Sequence, residues 1–286
     1  MYDSIIIGAG PAGISASLYL KRANKNVLVL YHGEAEIEKA HKIDNFYGFP
    51  NGISGASLYQ NGITQAKNLN VEVKDEEVLS ILMNEKMEYN VKTVNEEYQA
   101  KTIIIATGNK KLRPNIKGVV EFEGIGVSYC AICDGFFYRK KKVVVIGSGA
   151  YAISEAKELL NVTDDVTILT NGNALTKDTD IKVDTRKIKE ICGENKVSHI
   201  LFEDDTKLDT NGVFIALGEA GGADFAKKLG IYMENDTIIV DQNMKTTIPG
   251  VFAAGNVVGG LLQINKAAFE GAKAALEAIK YINEKR

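Results

Sequence analysis

Two glycine-rich turns, each set between an apolar strand and a helix, constrain this chain more than any other feature. Ile5 to Ile7 runs straight into Gly8-Ala-Gly10-Pro11-Ala12-Gly13, after which Ile14 to Arg22 has helical spacing and Val27 to Leu30 is a second short apolar run. That is the pattern of a βαβ unit with a right-handed crossover and a parallel strand pair. It returns at Lys142 to Ile146, with the turn Gly147-Ser-Gly149-Ala150-Tyr151-Ala152, a helix over Ile153 to Leu160 and a strand over Val166 to Leu169. The expected fold class is therefore α/β, with two Rossmann-like, doubly wound domains of three layers (ββα).

With 286 residues the chain exceeds one ordinary core. Between the two modules, Lys101 to Ala106 reads as a buried strand ending in Ala106-Thr107-Gly108, and Asn109 to Pro114 as a polar connector. Beyond the second module come an apolar strand, Gly212 to Gly218, a segment opening at Thr237 to Val240, the run Pro249 to Gly255 and a last helix, Ala267 to Ile282. The spacing predicts a first domain built from residues 1–113 and 239–286, with a second, 114–238, inserted into it.

Composition closes off several function classes. A net charge of −3, with lysines interleaved among carboxylates, provides no field for nucleic acid. The apolar start from Ile5 to Leu20 lacks a basic leader and is broken by glycines, and no other stretch sustains the roughly 20 apolar residues of a spanning helix. The expectation is a soluble, cytoplasmic protein. Three cysteines cannot form a dense disulfide framework.

Two of those cysteines form Cys130-Ala-Ile-Cys133, followed by Asp134. This spacing lets two thiols close a small ring and exchange disulfides, with the neighbouring acid moving the proton that separates thiol from thiolate. A zinc site and an inert core pair are the alternatives. Zinc would need two more ligands from His32, His41, His199 and Cys192, none of which stands in a second paired spacing. Cys192 falls in a charged stretch read as helical, with no partner in view. Arg139 to Lys142 reads as a solvated edge before a strand.

The first glycine motif fits dinucleotide binding: its glycines admit a pyrophosphate and the helix N-terminus stabilises the charge. The place of a ribose-holding acid at the end of the second strand is taken by Leu30 and Tyr31, with Glu34 the nearest carboxylate.

With Cys130-Ala-Ile-Cys133-Asp134-Gly-Phe136-Phe137, together with Ile43 to Pro50, Ala106 to Gly108 and Pro249 to Gly255, nearly the whole chain resembles the low-molecular-weight thioredoxin reductases. The resemblance implies an FAD domain, a redox disulfide on the inserted domain, thioredoxin as partner, and a homodimer. It places Gly8, Gly10, Pro11, Ala12, Gly13, Tyr31, Asn45, Val73, Ala106, Thr107, Gly108, Gly255, Asn256, Gln263 and Ile264 along the FAD. It also implies that Cys133 faces the flavin, that Cys130 attacks the partner disulfide, and that Asp134 donates or accepts the proton. Asn256 stands where the family has an aspartate, and Leu262 where it has an arginine.

The inserted domain departs further. NADPH-using members follow the second strand with a His-Arg-Arg motif that grips the 2′-phosphate; here Leu169 is followed by Thr170-Asn171-Gly172-Asn173, and no arginine occurs between Arg139 and Arg186. Each lost charge-assisted bond removes about 1.5–3 kcal/mol. Tyr151 replaces a small polar residue in the glycine turn. These departures resemble the ferredoxin-dependent flavin thioredoxin reductases, which makes reduced ferredoxin the expected donor. The alternatives are NADPH as donor, or a dithiol oxidase.

Overall fold

The computed structural model describes residues 1–108 and 114–285 and divides the chain into two compact units. One is Met1–Lys110 with Gly221–Arg286, the other Lys111–Ala220. The second unit is thus inserted into the first. Of the connector expected over 109–114, all but Pro114 lies outside the described residues, and the 113/114 boundary falls beside it.

Unit 1 begins with β1 (Tyr2–Ile7), α1 (Pro11–Arg22), β2 (Val27–Tyr31), α2 (Gly55–Asn68), β3 (Glu72–Asp75), β4 (Val78–Met83), β5 (Tyr89–Thr93) and β6 (Glu97–Ile105). Strands β3, β2, β1 and β6 are parallel neighbours, and β6, β5 and β4 form an antiparallel meander. The runs Ile5–Ile7, Leu28–Leu30 and Ile103–Ile105 are continuous in sequence because both faces of a parallel sheet are covered, so neither face selects polar residues. Pro11 opens α1 at a position where the missing N–H costs no helical bond.

Unit 2 contains β7 (Val127–Ser128), α3 (Ala131–Asp134), β8 (Val143–Ile146), α4 (Ala150–Leu160), β9 (Val166–Leu169), β10 (Lys182–Asp184), β11 (Ile188–Gly193), β12 (Val197–Phe202), β13 (Lys207–Asp209) and β14 (Gly212–Ile215). A parallel sheet of order β10-β9-β8-β14-β7 packs against the antiparallel sheet β11-β12-β13. Val144, Ile146, Val213 and Ile215 share one core with Ile191, Ile200 and Phe202. Val143 and Val145 point to the other face, where α4 packs on β8.

The segment around Cys192 is strand β11, not helix. Ile188 and Ile191 both face the core at a helix-like spacing of three because the β11–β12 register slips after Ile188. A bulge of this kind breaks the alternation that marks a strand and imitates the helical period.

The chain returns to unit 1 at Gly221, ahead of the expected 239, with α5 (Gly222–Leu229), β15 (Met233–Glu234), β16 (Thr237–Ile238), β17 (Val251–Ala253) and α6 (Ile264–Glu284). Helix α5 belongs here because Gly222 lies so near unit 1 that a Cβ would strike Thr107 and Val257 and press on Ile105. The return coincides with a glycine-rich stretch in the sequence, Gly218-Glu-Ala-Gly221-Gly222. Strand β6 is long enough to serve two neighbours on one side: Glu97–Ala100 pairs with β5, and Ile103–Ile105 with β17. Helices α1 and α6 pack closely, since a Cβ on Gly271 would sit 2.0 Å from the Ala12 carbonyl oxygen.

Candidate flavin cradle and redox centre

Three parallel strands of unit 1 end at one level, Ile7 opposite Ile105 and Ala253 also opposite Ile105. This register brings together the turns that follow them: Gly8 to Gly13, Ala106 to Gly108, and Gly255 with Asn256. Ligands of doubly wound sheets bind at this carboxyl edge.

The three motif glycines have different surroundings. A Cβ on Gly8 would lie 2.3 Å from Ala106 O, and one on Gly13 1.8 Å from Gly8 O, so both are fixed by packing. A Cβ on Gly10 would meet nothing within 4 Å. Gly10 is the N-cap of α1 and places no side chain over the first-turn amides. Thr107 Oγ1 is buried without a hydrogen-bond partner among the described residues. An open glycine at an uncapped helix start, beside an unsatisfied buried hydroxyl, fits a group that brings phosphate charge and acceptors. These residues therefore fit FAD.

The remaining cradle residues divide. Asn45 donates through Nδ2 to Gln263 Oε1 at 3.1 Å, and Asn265 Nδ2 donates to Asn45 O, so the Asn45 loop and the start of α6 meet. Gln263 occupies the N-cap position of α6 without a side-chain capping bond, and Ile264 is the first helical residue. Tyr31 ends β2 edge-on to Tyr59, its hydroxyl pKa pushed up by burial and by the nearby Asp75 and Glu38 carboxylates. Val73 sits mid-strand with its side chain packed against the core.

Two residues here carried no recognised signal. Glu270 accepts the Gly255 N–H at 2.9 Å, and Lys266 donates to Gly255 O at 3.0 Å and to Gly259 O. Only their spacing of four on α6 hinted at a pair.

In unit 2, Cys130 and Cys133 are joined in a disulfide across the single turn of α3. Cys130 is buried and its sulfur accepts the Cys133 N–H at 3.2 Å. Ser128 Oγ accepts the Cys130 N–H at 3.1 Å and donates to Asp134 Oδ2 at 2.6 Å, which fixes the carboxylate beside the disulfide. Ser128 was not picked out in the sequence, where a serine two residues before a cysteine has nothing to distinguish it. Ile132, Phe136 and Phe137 are exposed around this motif, and Arg139 lies over the Phe136 ring.

The second glycine turn repeats the packing of the first, with Gly149 as the uncapped N-cap of α4, and differs in the loop tied to it. Gly147 is fixed by packing, its Cβ position 2.1 Å from Ala216 O. The loop after β9 reaches back to this turn, with Thr176 N–H donating to Ser148 O at 3.0 Å. Tyr151 is buried in the first turn of α4. Arg186 forms a fork with Asp184, donates to Thr206 Oγ1 and covers the Phe202 ring.

Comparison with known proteins agrees with this arrangement. Residues 2–271 match the pyridine nucleotide-disulphide oxidoreductase family. A thioredoxin reductase of Aquifex aeolicus is 35% identical over 306 residues, covering 100% of this chain and 95% of the relative. The crystal structure of the atypical thioredoxin reductase TRi from Desulfovibrio vulgaris Hildenborough has 40% identity and a TM-score of 0.95, covering 100% and 99% of the two chains. A ferredoxin-flavin thioredoxin reductase from Clostridium acetobutylicum has 31% identity and a TM-score of 0.73, covering 99% and 98%. No helix among the described residues is long and apolar enough to cross a membrane. The chain belongs to the pyridine nucleotide-disulphide oxidoreductases and is a flavoprotein disulfide oxidoreductase of the thioredoxin reductase type.

Proposed function

We propose that this chain reduces the disulfide of thioredoxin with electrons from reduced ferredoxin, using FAD in unit 1 and the Cys130–Cys133 disulfide in unit 2. Gly8, Gly10, Pro11, Ala12 and Gly13 would hold the pyrophosphate. Tyr31, Asn45, Val73, Ala106, Thr107, Gly108, Gly255, Asn256, Gln263 and Ile264 would hold the rest of the cofactor. When bound, FAD supplies the conversion of single electrons into a pair. Family resemblance supports a cytoplasmic homodimer.

The thiol chemistry belongs to this chain's own groups. In the reduced state the Cys130 thiolate attacks one sulfur of the thioredoxin disulfide, forming a mixed disulfide and releasing a thiolate. Cys133 then attacks Cys130 Sγ, the intramolecular disulfide closes again, and thioredoxin leaves as a dithiol. Two electrons and two protons have moved to thioredoxin. Asp134, held by Ser128, passes a proton at this centre. Exposed Phe136 and Phe137 offer the apolar surface that a protein partner covers.

The choice of donor rests on the second glycine turn. Its Ser148 carbonyl accepts a hydrogen bond from the chain's own loop at Thr176, which ties that loop to the turn. Arg186, the first arginine after that loop, is already paired with Asp184, so no arginine fork remains there for a 2′-phosphate. The Clostridium acetobutylicum neighbour, whose name includes ferredoxin, points the same way. With ferredoxin near about −400 mV and thioredoxin near about −270 mV, the two-electron driving force is roughly 6 kcal/mol.

The test is anaerobic flavin absorbance after mixing with NADPH, NADH or reduced ferredoxin. Bleaching by ferredoxin alone supports the proposal. Rapid bleaching by micromolar NADPH overturns it.

A further inference from the structure

The run Arg139-Lys140-Lys141-Lys142 has no part in the chemistry above, yet it begins immediately after the turn Gly135–Tyr138 that carries Phe136 and Phe137. All four residues are exposed, and none forms an ion pair among the described residues. Asp164 and Asp165 lie in the adjoining loop but make no such pair with the run. Elsewhere exposed lysines are matched with carboxylates, as Lys39 with Glu36 and Lys189 with Asp205. On a chain of net charge −3, this is a concentration of unmatched positive charge.

The main chain beneath the run is firmly tied. Thr163 Oγ1 donates to Lys141 O at 2.6 Å, Lys142 N–H donates to Asn211 Oδ1 at 3.2 Å, and Asn211 N–H donates back to Lys142 O at 2.8 Å. Lys140 is held at φ 56°, a left-handed conformation that favours glycine or asparagine. Two of the cations reach the aromatic segment: the Arg139 guanidinium lies 5.0 Å from the Phe136 ring centroid, and Lys141 Nζ donates to Phe137 O at 2.9 Å. Phe136 and Phe137 are themselves 64% and 68% exposed. An apolar patch with a positive rim thus adjoins the Cys130–Cys133 disulfide.

A protein that covers this surface gains most if carboxylates surround its own apolar centre. It is also the protein whose disulfide is exchanged, since the patch is continuous with the segment that bears the sulfurs. We infer that Arg139, Lys140, Lys141 and Lys142 steer to the Phe136–Phe137 patch a disulfide protein whose reactive sulfurs are ringed by carboxylates. This rests on the reading of thioredoxin as partner and adds the charge that the partner carries. Rim charges act on association more than on dissociation, so the device sets the encounter rate, and salt screens it.

The experiment follows, by stopped flow, oxidation of the anaerobically reduced holoprotein by an oxidised thioredoxin of negative net charge. It is run at roughly 10 mM and roughly 1 M salt, where the Debye length is about 30 and about 3 Å. Lys140→Gln with Lys141→Gln removes two charges and is expected to lower the second-order rate about tenfold at low salt, and to approach the wild type at high salt. Lys140→Arg with Lys141→Arg keeps both charges and is expected to follow the wild type at both. A wild-type rate independent of salt, or a glutamine variant equal to the wild type at low salt, overturns this inference alone. Equal slowing of both double variants at both salt concentrations does the same, since it assigns the lysines to structure. Slower flavin reduction by reduced ferredoxin, with thioredoxin oxidation unchanged, gives the surface to the donor and also overturns it. A wild-type dithiol that thioredoxin leaves unoxidised overturns the reading of the partner as well.

Discussion

Lys266 and Glu270, one turn apart on α6, form an ion pair of 3.0 Å that holds both the carbonyl and the amide of Gly255. Their side chains are 16% and 11% exposed. Gly255 abuts Ala12, so this clamp sets the distance between the β17 turn and the start of α1, the two sides of the proposed flavin cradle.

Lys266→Met should therefore loosen the cradle. Removing one partner of a largely buried pair costs about 3 kcal/mol, and the dissociation constant for FAD should rise by roughly tenfold, ~1.4 kcal/mol. Thermal unfolding of the apoprotein and flavin fluorescence titration measure the two effects separately.

Gly271→Ala introduces a methyl group 2.0 Å from the Ala12 carbonyl oxygen, which is backbone and cannot turn aside. Overpacking of this kind costs roughly 1–3 kcal/mol. Helices α1 and α6 must separate, so the purified variant should carry less flavin per chain, as read from the ratio of flavin to protein absorbance.

Asp134→Asn removes the acid beside the disulfide and should slow thioredoxin reduction by about 100-fold. Ser128→Ala leaves the acid but frees it to rotate, and should cause a smaller loss. Stopped-flow oxidation of the dithiol protein by thioredoxin resolves the order. Equal rates in Asp134→Asn and wild type would remove Asp134 from the mechanism.

Asp184 titrates below the usual carboxylate range because of its hydrogen bonds from Arg186. Its folded pKa lies below the unfolded value of about 3.9, so its contribution is complete above that value and is lost as the pH falls through the folded pKa. Asp184→Asn should lower stability by about 1 kcal/mol at neutral pH. The gap from wild type should narrow as the pH drops below 4 in a thermal unfolding series.

Much of unit 1 can be read directly from the chain because its parallel strands are unbroken apolar runs and its glycine turn follows one of them. The Cys130–Cys133 spacing is equally visible, since both partners of the disulfide lie within four residues. What the sequence hides comes from contacts across long separations. The disguise of β11 as a helix follows from a bulge that only β12 imposes. Ser128 becomes part of the redox centre through α3, and it stands in no recognisable spacing with the cysteines. The return at Gly221 rather than 239 depends on the absence of a side chain at Gly222, where the chain packs against Thr107 and Val257, both distant in sequence. At the second glycine turn, the motif alone points to a nucleotide, while the Thr176 hydrogen bond to Ser148 is a loop closure that no local pattern announces.

The register that sets Ile7 and Ala253 opposite Ile105 also orders events during biosynthesis. The ribosome releases β1 and β6 first, then all of unit 2, and only afterwards β17 and α6. Until then the edge of β6 at Ile103–Ile105 has no partner on one side, and the clamp on Gly255 does not exist. The inserted unit has all its own strands in one continuous stretch and can close first. Cofactor loading is thereby deferred until β17 and α6 have emerged, and a nascent chain arrested before β17 would present a finished redox motif on a protein that cannot yet retain flavin.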